Sequence, residues 1–268
     1  MDEANSPVLN SAARLHVMLA RDVPFAVILR RGPTHQVCSV SWNLSDDTFQ
    51  VGQWLKGRIY ERSCDISPDG QHLLYHAVKH RITDGGWHEY TVLSRAPYLK
   101  ALRIWFGKGF YGGIWLDNDH FALHKYNYGP QLAPFRVSPY SEIENLPELA
   151  QIIDQAQWRL QREGWHLLDE APPDTLDCGK RSDSWNLTLS IQGNYFAPKR
   201  LIYTVYDHKS EETFDCARWQ WADFRDRRLL WAQDGKIFAA DIWDGGHGSI
   251  QQLADFNDWT FEPIVAPY

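Results

Sequence analysis

Residues 64–76, CDISPDGQHLLYH, combine a tight turn with the strand that leaves it. In the Ser-Pro-Asp-Gly sequence at 67–70, proline fixes a backbone angle that β-turns use, and glycine tolerates the positive φ that they often need. The run that follows, HLLYHAV at 72–78, is apolar and bounded by turn residues, which is typical of a strand. The segment therefore predicts two strands joined by a turn.

The same turn-then-strand order recurs at 116–125 (LDNDHFALHK), 161–170 (QREGWHLLDE) and 224–233 (FRDRRLLWAQ). The strands after the four turns are predicted to begin at His72, His120, Trp165 and Arg228, in steps of 48, 45 and 63 residues. A period of about 45–50 residues is the spacing of four-stranded blades in a β-propeller, where each twisted sheet covers its neighbours. The longest step is predicted to hold an insertion.

Short runs rich in β-branched and aromatic residues, each bounded by Gly, Pro, Asn or Asp, predict further strands. The first nine runs are 25–31, 36–44, 48–55, 58–66, 72–78, 88–95, 101–107, 112–116 and 120–125. The chain also has 13 Trp, and aromatic side chains favour pleated, half-buried surfaces. We predict an all-β chain whose residues 1–268 form a single β-propeller domain of about five four-stranded blades, or six if the blades are unusually short.

A single helix is predicted to interrupt the strands at about 145–163, where Asn145 can cap it, Pro147 suits its first turn and Gly164 ends it. Its apolar residues follow helical spacing: Leu149, Ile152, Ile153, Ala156 and Leu160. The spacing predicts an amphipathic insertion whose apolar stripe packs on the propeller. The alternative is a helix that docks a partner.

Several segments resemble known propeller families. DISPDGQHLLYHA at 65–77 resembles the turn of TolB-like and prolyl-oligopeptidase-type propellers, which are related to WD repeats. Residues 89–105 and 221–241 are similar to segments of bacterial propeller-like proteins that carry no assigned activity. The resemblance implies the fold and implies no function. A WD-repeat pattern is absent, because the Trp-Asp pair at 243–244 is not repeated at matching positions.

Charge and composition exclude some classes of partner. The formal net charge is −7, so neither duplex DNA nor an anionic membrane is expected as the principal partner. The N-terminal residues show no signal-peptide pattern, and no stretch approaches the ~20 apolar residues that span a bilayer. We therefore expect a cytoplasmic protein. The widely spaced cysteines, Cys38, Cys64, Cys178 and Cys216, are predicted to be buried free thiols, with disulfides as the alternative in an oxidising compartment.

Metal and cofactor signatures are missing from the sequence. His72, His76 and His80 lie four residues apart, but on a strand that spacing spans ~13 Å, too far for one ion. Asp117 and Asp119 flank Asn118 as turn residues do. Nucleophile-elbow, phosphate-loop and dinucleotide motifs are also absent. We expect no cofactor and no metal.

Two functional hypotheses remain open. The leading one is a non-catalytic scaffold or accessory subunit of a bacterial assembly, which binds a protein partner through aromatic and basic residues near turns. The predicted binding residues are Trp87, Arg95, Tyr98, Trp105, Lys108, Tyr111 and Trp115. Any of these Trp residues could instead be inter-blade core, as predicted for Trp219 and Trp221, which alternate on one face of a strand.

The alternative is a hydrolase or lyase that acts on a glycan or small metabolite with carboxylates in the propeller funnel. Four aspartates could converge there: Asp207, Asp215, Asp223 and Asp241. Their other interpretation is that of turn residues and partners of arginines. A narrow funnel lined by acids and histidines with shifted pKa values would favour the enzyme, and a broad exposed aromatic patch would favour the binder.

Overall fold

Five β-sheets, arranged as the blades of a propeller, make up the described part of the chain, as predicted. The computed structural model describes residues 12–32, 35–80, 87–106, 112–123, 132–140, 152–168, 174–193 and 198–268. Within these ranges, no helix has the length and apolarity needed to cross a membrane.

The first two blades follow each other directly in sequence. Blade 1 is a four-stranded antiparallel sheet of β1 (Arg14–Leu19), β2 (Phe25–Arg31), β3 (Gln36–Asn43) and β4 (Thr48–Lys56). In blade 2 the innermost strand is split into two short pieces, and the sheet consists of β5 (Arg58–Ile59), β6 (Asp65–Ile66), β7 (His72–His80), β8 (Trp87–Arg95) and β9 (Ala101–Phe106).

Between blades 3 and 4 in sequence lies the only α-helix in the described residues, α1 (Ile152–Arg162). Blade 3 shows three described strands, β10 (Gly113–Trp115), β11 (His120–Leu123) and β12 (Arg136–Pro139). Blade 4 follows the helix with β13 (His166–Leu167), β14 (Thr175–Ser182), β15 (Trp185–Gln192) and β16 (Arg200–Asp207). Blade 5 comprises β17 (Trp219–Arg225), β18 (Arg228–Gln233), β19 (Lys236–Trp243), β20 (Gly246–His247) and β21 (Gln251–Asp255).

The repeat is real, but one of its four predicted members is misplaced. The second strands of the five blades begin at Phe25, His72, His120, Thr175 and Arg228, in steps of 47, 48, 55 and 53 residues. The strand predicted to begin at Trp165 corresponds to β13, which is the first strand of blade 4 and not the second. It was mistaken for a repeat because Gly164, which ends the helix at φ +84°, resembles a strand turn.

Two strand predictions were wrong in the inner region. The run at 58–66 is not one strand, since a 3-10 helix (Glu61–Ser63) separates β5 from β6. Strand β1 precedes residue 25, where the first predicted run begins, so it was missed. The predicted helix residues 145–151 lie outside the described residues, and α1 ends at Arg162, one residue before the predicted end.

The hydrophobic core lies between neighbouring blades. One cluster joins blades 4 and 5, another joins blades 5 and 1, and a third joins blades 1 and 2. Trp42 and Trp185 are fully buried in two of these clusters. Trp219 and Trp221 are both buried, as predicted, but they pack in different clusters because a β-bulge between them reverses the strand's alternation.

Blade 5 meets blade 1 through side chains that bond to main-chain groups, and no described strand is shared between the two sheets. Gln220 on β17 accepts a hydrogen bond from the Leu15 N–H (3.0 Å) and donates one to the Ala13 carbonyl (3.3 Å). The buried Arg30 donates to the carbonyls of Phe256 and Asn257, both at 3.0 Å. We call this contact the seam.

Residues 256–268, which we call the strap, run from the seam across blade 1 to blade 2. Gln53 on β4 donates to the Ile264 carbonyl (2.9 Å), and Trp54 lies 6.0 Å from Phe261 between ring centroids. At the end of the strap, the Tyr268 hydroxyl donates to the Lys100 carbonyl at 2.6 Å. The strap therefore links three blades along their outer edges.

Candidate functional site

Part of the predicted binding group gathers where the strap meets blade 2. The Arg95 guanidinium, on an exposed side chain, lies 5.0 Å from the centroid of the Tyr268 ring, and the Arg95 N–H donates to the Tyr268 hydroxyl (3.1 Å). Tyr98 is half-buried, with its ring edge-on to Tyr268 at 6.2 Å. Arg95 and Tyr98 therefore both contact the last residue of the strap.

The other predicted residues lie elsewhere. Trp105 on β9 is half-buried and packs edge-on against Phe121 of blade 3 (5.8 Å). Trp115 is fully buried in a fourth cluster, between blades 2 and 3, which includes Phe121 and against which Trp105 packs. Its ring therefore belongs to the core. Trp87 begins β8, while Lys108 and Tyr111 lie outside the described residues.

Strand β9 is the outermost described strand of blade 2 and pairs only with β8 among the described strands. Its side chains at alternate positions are unusually exposed for apolar residues: Leu102 is 40%, Ile104 38% and Phe106 68% accessible. Alternate residues of a strand share one face, so these three form an apolar stripe beside an open main-chain edge. We call β9 and this stripe the blade-2 edge. Sequence analysis placed residues near it but missed the stripe.

Charge around the blade-2 edge opposes that of the whole chain. From Tyr90 to Leu116 the sequence contains Arg95, Lys100, Arg103 and Lys108 and no Asp or Glu. Arg95, Lys100 and Arg103 are exposed. In a chain with 34 acidic and 27 basic residues, a basic segment of this length is a local excess of positive charge.

A second candidate site is a cavity of about 160 Å³ in the central channel, among the inner parts of blades 1, 2, 4 and 5 and α1. Strands β1 and β17 supply much of its wall, and α1 closes another side. Its charged and titratable lining residues are His16, Arg21, Arg62, Cys64, Asp65, Arg159, Arg162, Glu163, Lys180, Tyr203, Asp223 and Arg225.

Two arginines fasten α1 to the inner strands. The buried Arg159 donates to the carbonyls of Arg62 (2.7 Å), Cys64 (2.8 Å) and Gly113 (3.1 Å). Arg162 forms a two-pronged ion pair with Asp65, with both N–O distances at 2.8 Å. The predicted apolar packing is confirmed for Leu160, which is buried, but the arginines hold the helix as well.

A second ion pair crosses from blade 4 to blade 5. The Lys180 Nζ lies 2.5 Å from Asp223 Oδ1, which also accepts the Phe224 N–H at 2.7 Å. Asp223 is 5% exposed, while the Lys180 side chain keeps 18% of its surface. The hydrogen bond within this pair is charge-assisted, and the Lys180 side chain remains partly exposed where it lines the cavity.

The channel shifts the ionisation of several of its acids and of His16. Burial lowers the pKa of His16 well below its usual value, with Arg62 and Arg159 adding to the effect, so the ring is neutral at pH 7. Burial also raises the pKa of Asp223 and Glu163 against the opposing Lys180 and Arg162. For Asp65, burial acts upward, but Arg162 outweighs it and the pKa is lowered.

The four aspartates predicted to converge do not meet. Only Asp223 lines the channel. Asp207 is fully buried at the end of β16, where it accepts bonds from Ser210 and from the Lys209 N–H. Asp241 is 71% exposed beside Arg228, and Asp215 caps the Ala217 N–H in an exposed loop. Turn chemistry explains Asp207 and Asp215, and pairing with Arg228 explains Asp241, as the alternative interpretation held.

Groups of metal-ligating side chains are absent from the described residues. Asp117 accepts bonds from the N–H groups of Asp119 (3.1 Å) and His120 (2.7 Å), so its role in the turn is confirmed. Strand β7 includes His72, His76 and His80, as predicted.

Comparisons with known proteins find solved structures of low sequence identity. No family model and no curated protein matches the chain. Among solved structures, an acylaminoacyl peptidase from Pyrococcus horikoshii is 11% identical with a TM-score of 0.38, over 91% of this chain and 45% of that one. The chain thus spans less than half of that peptidase.

Two further structures match over most of their own length. The propeller domain of the Trilobed protease from Pyrococcus furiosus is 13% identical, with coverage of 94% and 83% and a TM-score of 0.31. Sqt1 from Saccharomyces cerevisiae is 10% identical, with coverage of 90% and 86% and a TM-score of 0.30. The first of these two structures is a β-propeller domain, and similarity of this size transfers no activity.

Proposed function

We propose that this chain is a non-catalytic accessory subunit that binds a protein partner at the blade-2 edge. The observation that carries the proposal is the apolar stripe of Leu102, Ile104 and Phe106 on an outermost strand. Large apolar side chains exposed in a row beside an open strand edge are typical of interaction sites. Of the predicted residues, Arg95 and Tyr98 lie just before this strand and Trp105 lies on it.

The occupant is an extended segment of the partner that pairs with β9 as an added strand. Main-chain bonds to the open edge would supply affinity, and alternate side chains would contact the stripe. Because Arg95, Lys100 and Arg103 are exposed nearby and acids are absent from 90–116, we infer an acidic segment with apolar residues at alternate positions.

Affinity purification from the native host, followed by mapping of the contact, tests the proposal. We expect a stoichiometric partner that is lost in the Ile104→Glu variant. The new carboxylate would repel the acidic segment of the partner and would interrupt the apolar stripe. Val51→Glu is the matched control, because Val51 is 37% exposed on β4, the outer strand of another blade. A photo-crosslinker at Leu102 should label an acidic segment of that partner, and a peptide of that segment should bind more weakly at higher salt.

Four results would contradict the proposal. The first is a partner that Ile104→Glu retains. The second is a crosslinked segment that is basic, and the third is a second copy of this chain as the sole occupant of β9. A preparation without any partner would likewise count against it.

The hydrolase or lyase alternative finds less support in the channel. All three cavity acids lie in ion pairs: Asp65 and Glu163 with Arg162, and Asp223 with Lys180. For Asp65 the pair lowers the pKa and favours the ionised carboxylate, which is a weak general acid. The raised pKa values of Glu163 and Asp223 meet one expectation for an enzyme, but the four aspartates predicted to converge in the channel do not meet there.

A further inference from the structure

We propose that the channel cavity is a binding site for a small organic anion, whose carboxylate or phosphate group is held by the basic side chains of α1 and blade 4. The site is separate from the blade-2 edge and independent of the partner proposed there. Three observations carry the inference: the charge of the lining, the rigidity of its basic groups and the size of the space.

The lining has twice as many basic as acidic side chains. Arg21, Arg62, Arg159, Arg162, Lys180 and Arg225 face the cavity, against Asp65, Glu163 and Asp223. The chain as a whole carries a net charge of −7, so the positive lining is a local feature. In an enclosed channel with low-dielectric walls, such an excess attracts and concentrates anions.

Two of the basic groups, those of Arg159 and Arg162, are fixed before any ligand arrives. Arg159 is anchored by three main-chain carbonyls, and Arg162 by Asp65 and the Trp115 carbonyl (2.8 Å). Guanidinium groups held this way lose little conformational freedom on binding, so their interaction with an anion is not offset by ordering.

The size and the apolar part of the wall define the ligand. A cavity of about 160 Å³ is comparable with the engineered cavity of ~150 Å³ that holds a benzene ring, and is smaller than pockets for drug-sized ligands. Leu160, Trp165, Leu189 and Phe224 contribute apolar surface beside the charges. A short organic chain or a small ring with one or two acidic groups fits both features.

Asp223 is the internal competitor of such a ligand, because it already neutralises Lys180. Removing the carboxylate and removing the ammonium should therefore have opposite effects on anion binding. This opposition separates a ligand site from a merely structural ion pair, since loss of either partner would disturb a structural pair in the same direction.

Titration calorimetry with succinate, 2-phosphoglycolate and inorganic phosphate tests the proposal, with uncharged succinamide as the control compound. We expect at least one anion to bind and succinamide not to bind. Lys180→Gln should weaken binding about tenfold, as expected for the loss of one charge-assisted hydrogen bond. Asp223→Asn should tighten binding several-fold, and its result decides the matter even if Lys180→Gln fails to fold.

The surface pair Lys209–Asp244 provides the matched control variants. Its N–O distance is also 2.5 Å, but its side chains are 58% and 55% exposed and lie outside the cavity lining. Lys209→Gln and Asp244→Asn should leave the affinity unchanged. The proposal is overturned if none of the anions binds at millimolar concentration, if succinamide binds equally well, or if Asp223→Asn weakens binding.

Discussion

Single residues in the channel do two things at once: they hold inner strands together, and they set the charge of the cavity. The sequence could not reveal this, because Arg159 and Arg162 lie on a helix whose polar residues would ordinarily face solvent. Asp65 precedes the Ser-Pro-Asp-Gly turn and shows no local sign of its partner 97 positions away. Long-range ion pairs of this kind have no periodicity that a sequence pattern could report.

Asp65→Asn should lower the free energy of unfolding by about 3 kcal/mol, because it leaves the Arg162 charge in a nearly dry site without its partner. Chemical denaturation of the wild type and the variant measures the difference. Asp244→Asn, in the exposed pair with Lys209, should leave the unfolding midpoint nearly unchanged. An equal effect of the two substitutions would show that burial does not strengthen the Asp65 pair.

The Asp65 contribution should also depend on pH in a defined direction. Its folded pKa is lowered, so the carboxylate stabilises the fold fully above the unfolded pKa of about 3.9 and loses that effect as the pH falls below it. The difference between wild type and Asp65→Asn should therefore shrink between about pH 5 and pH 3. A difference that grows on acidification would assign the stability to another group.

At the scale of elements, local pattern predicts strands well where a turn residue bounds a continuous apolar run. Strand β2 was predicted at both ends, and β7 at its start, because a turn residue precedes an uninterrupted apolar run. The pattern fails where the chain departs from regular pairing, as at the bulge between Trp219 and Trp221 and at the 3-10 helix between β5 and β6. There, tertiary contacts decide the local geometry.

The junction of blades 2 and 3 depends on close main-chain approach at Gly112. A Cβ there would lie 1.9 Å from the Ser63 carbonyl oxygen, while a Cβ at Gly164 would meet nothing nearer than the Lys180 Cε at 3.6 Å. Both glycines have similar positive φ, +86° and +84°. Gly164→Ala should cost about 1 kcal/mol from backbone strain, and Gly112→Ala several kcal/mol more, because two blades must separate.

Thermal unfolding of the two glycine variants measures this difference directly. Each serves as the control for the other, since the backbone penalty is shared and only the space differs. Equal melting temperatures would mean that the junction can relax away from Ser63.

At the scale of the whole molecule, five similar blades are joined into a ring by contacts that no repeat predicts. The period near 50 residues indicates the number of blades, but the seam depends on side chains such as Gln220 and Asn257, which bond to main-chain groups 205 and 244 positions away. The strap likewise has no counterpart in the repeat. The propeller fold was therefore predictable from the sequence, whereas the contacts that join blade 5 to blade 1 were not.

Gln220→Ala should loosen the seam, because it removes two hydrogen bonds between β17 and the main chain beside β1. We expect a loss of about 1–2 kcal/mol, with faster amide hydrogen exchange in β1 than in β7. Gln50→Ala on β4, whose side chain is exposed, is the matched control and should change neither. Uniform acceleration in all blades would indicate that the ring opens only with global unfolding.

The seam also has a mechanical consequence. If the chain is stretched from its two ends, the strap and the seam bonds are loaded one after another, not as a parallel ladder between two strands of one sheet. Blade 1 should then part from blade 5 at low force, and the remaining blades should extend afterwards at higher force. The ring can therefore open between blades 1 and 5 while each blade keeps its own sheet intact.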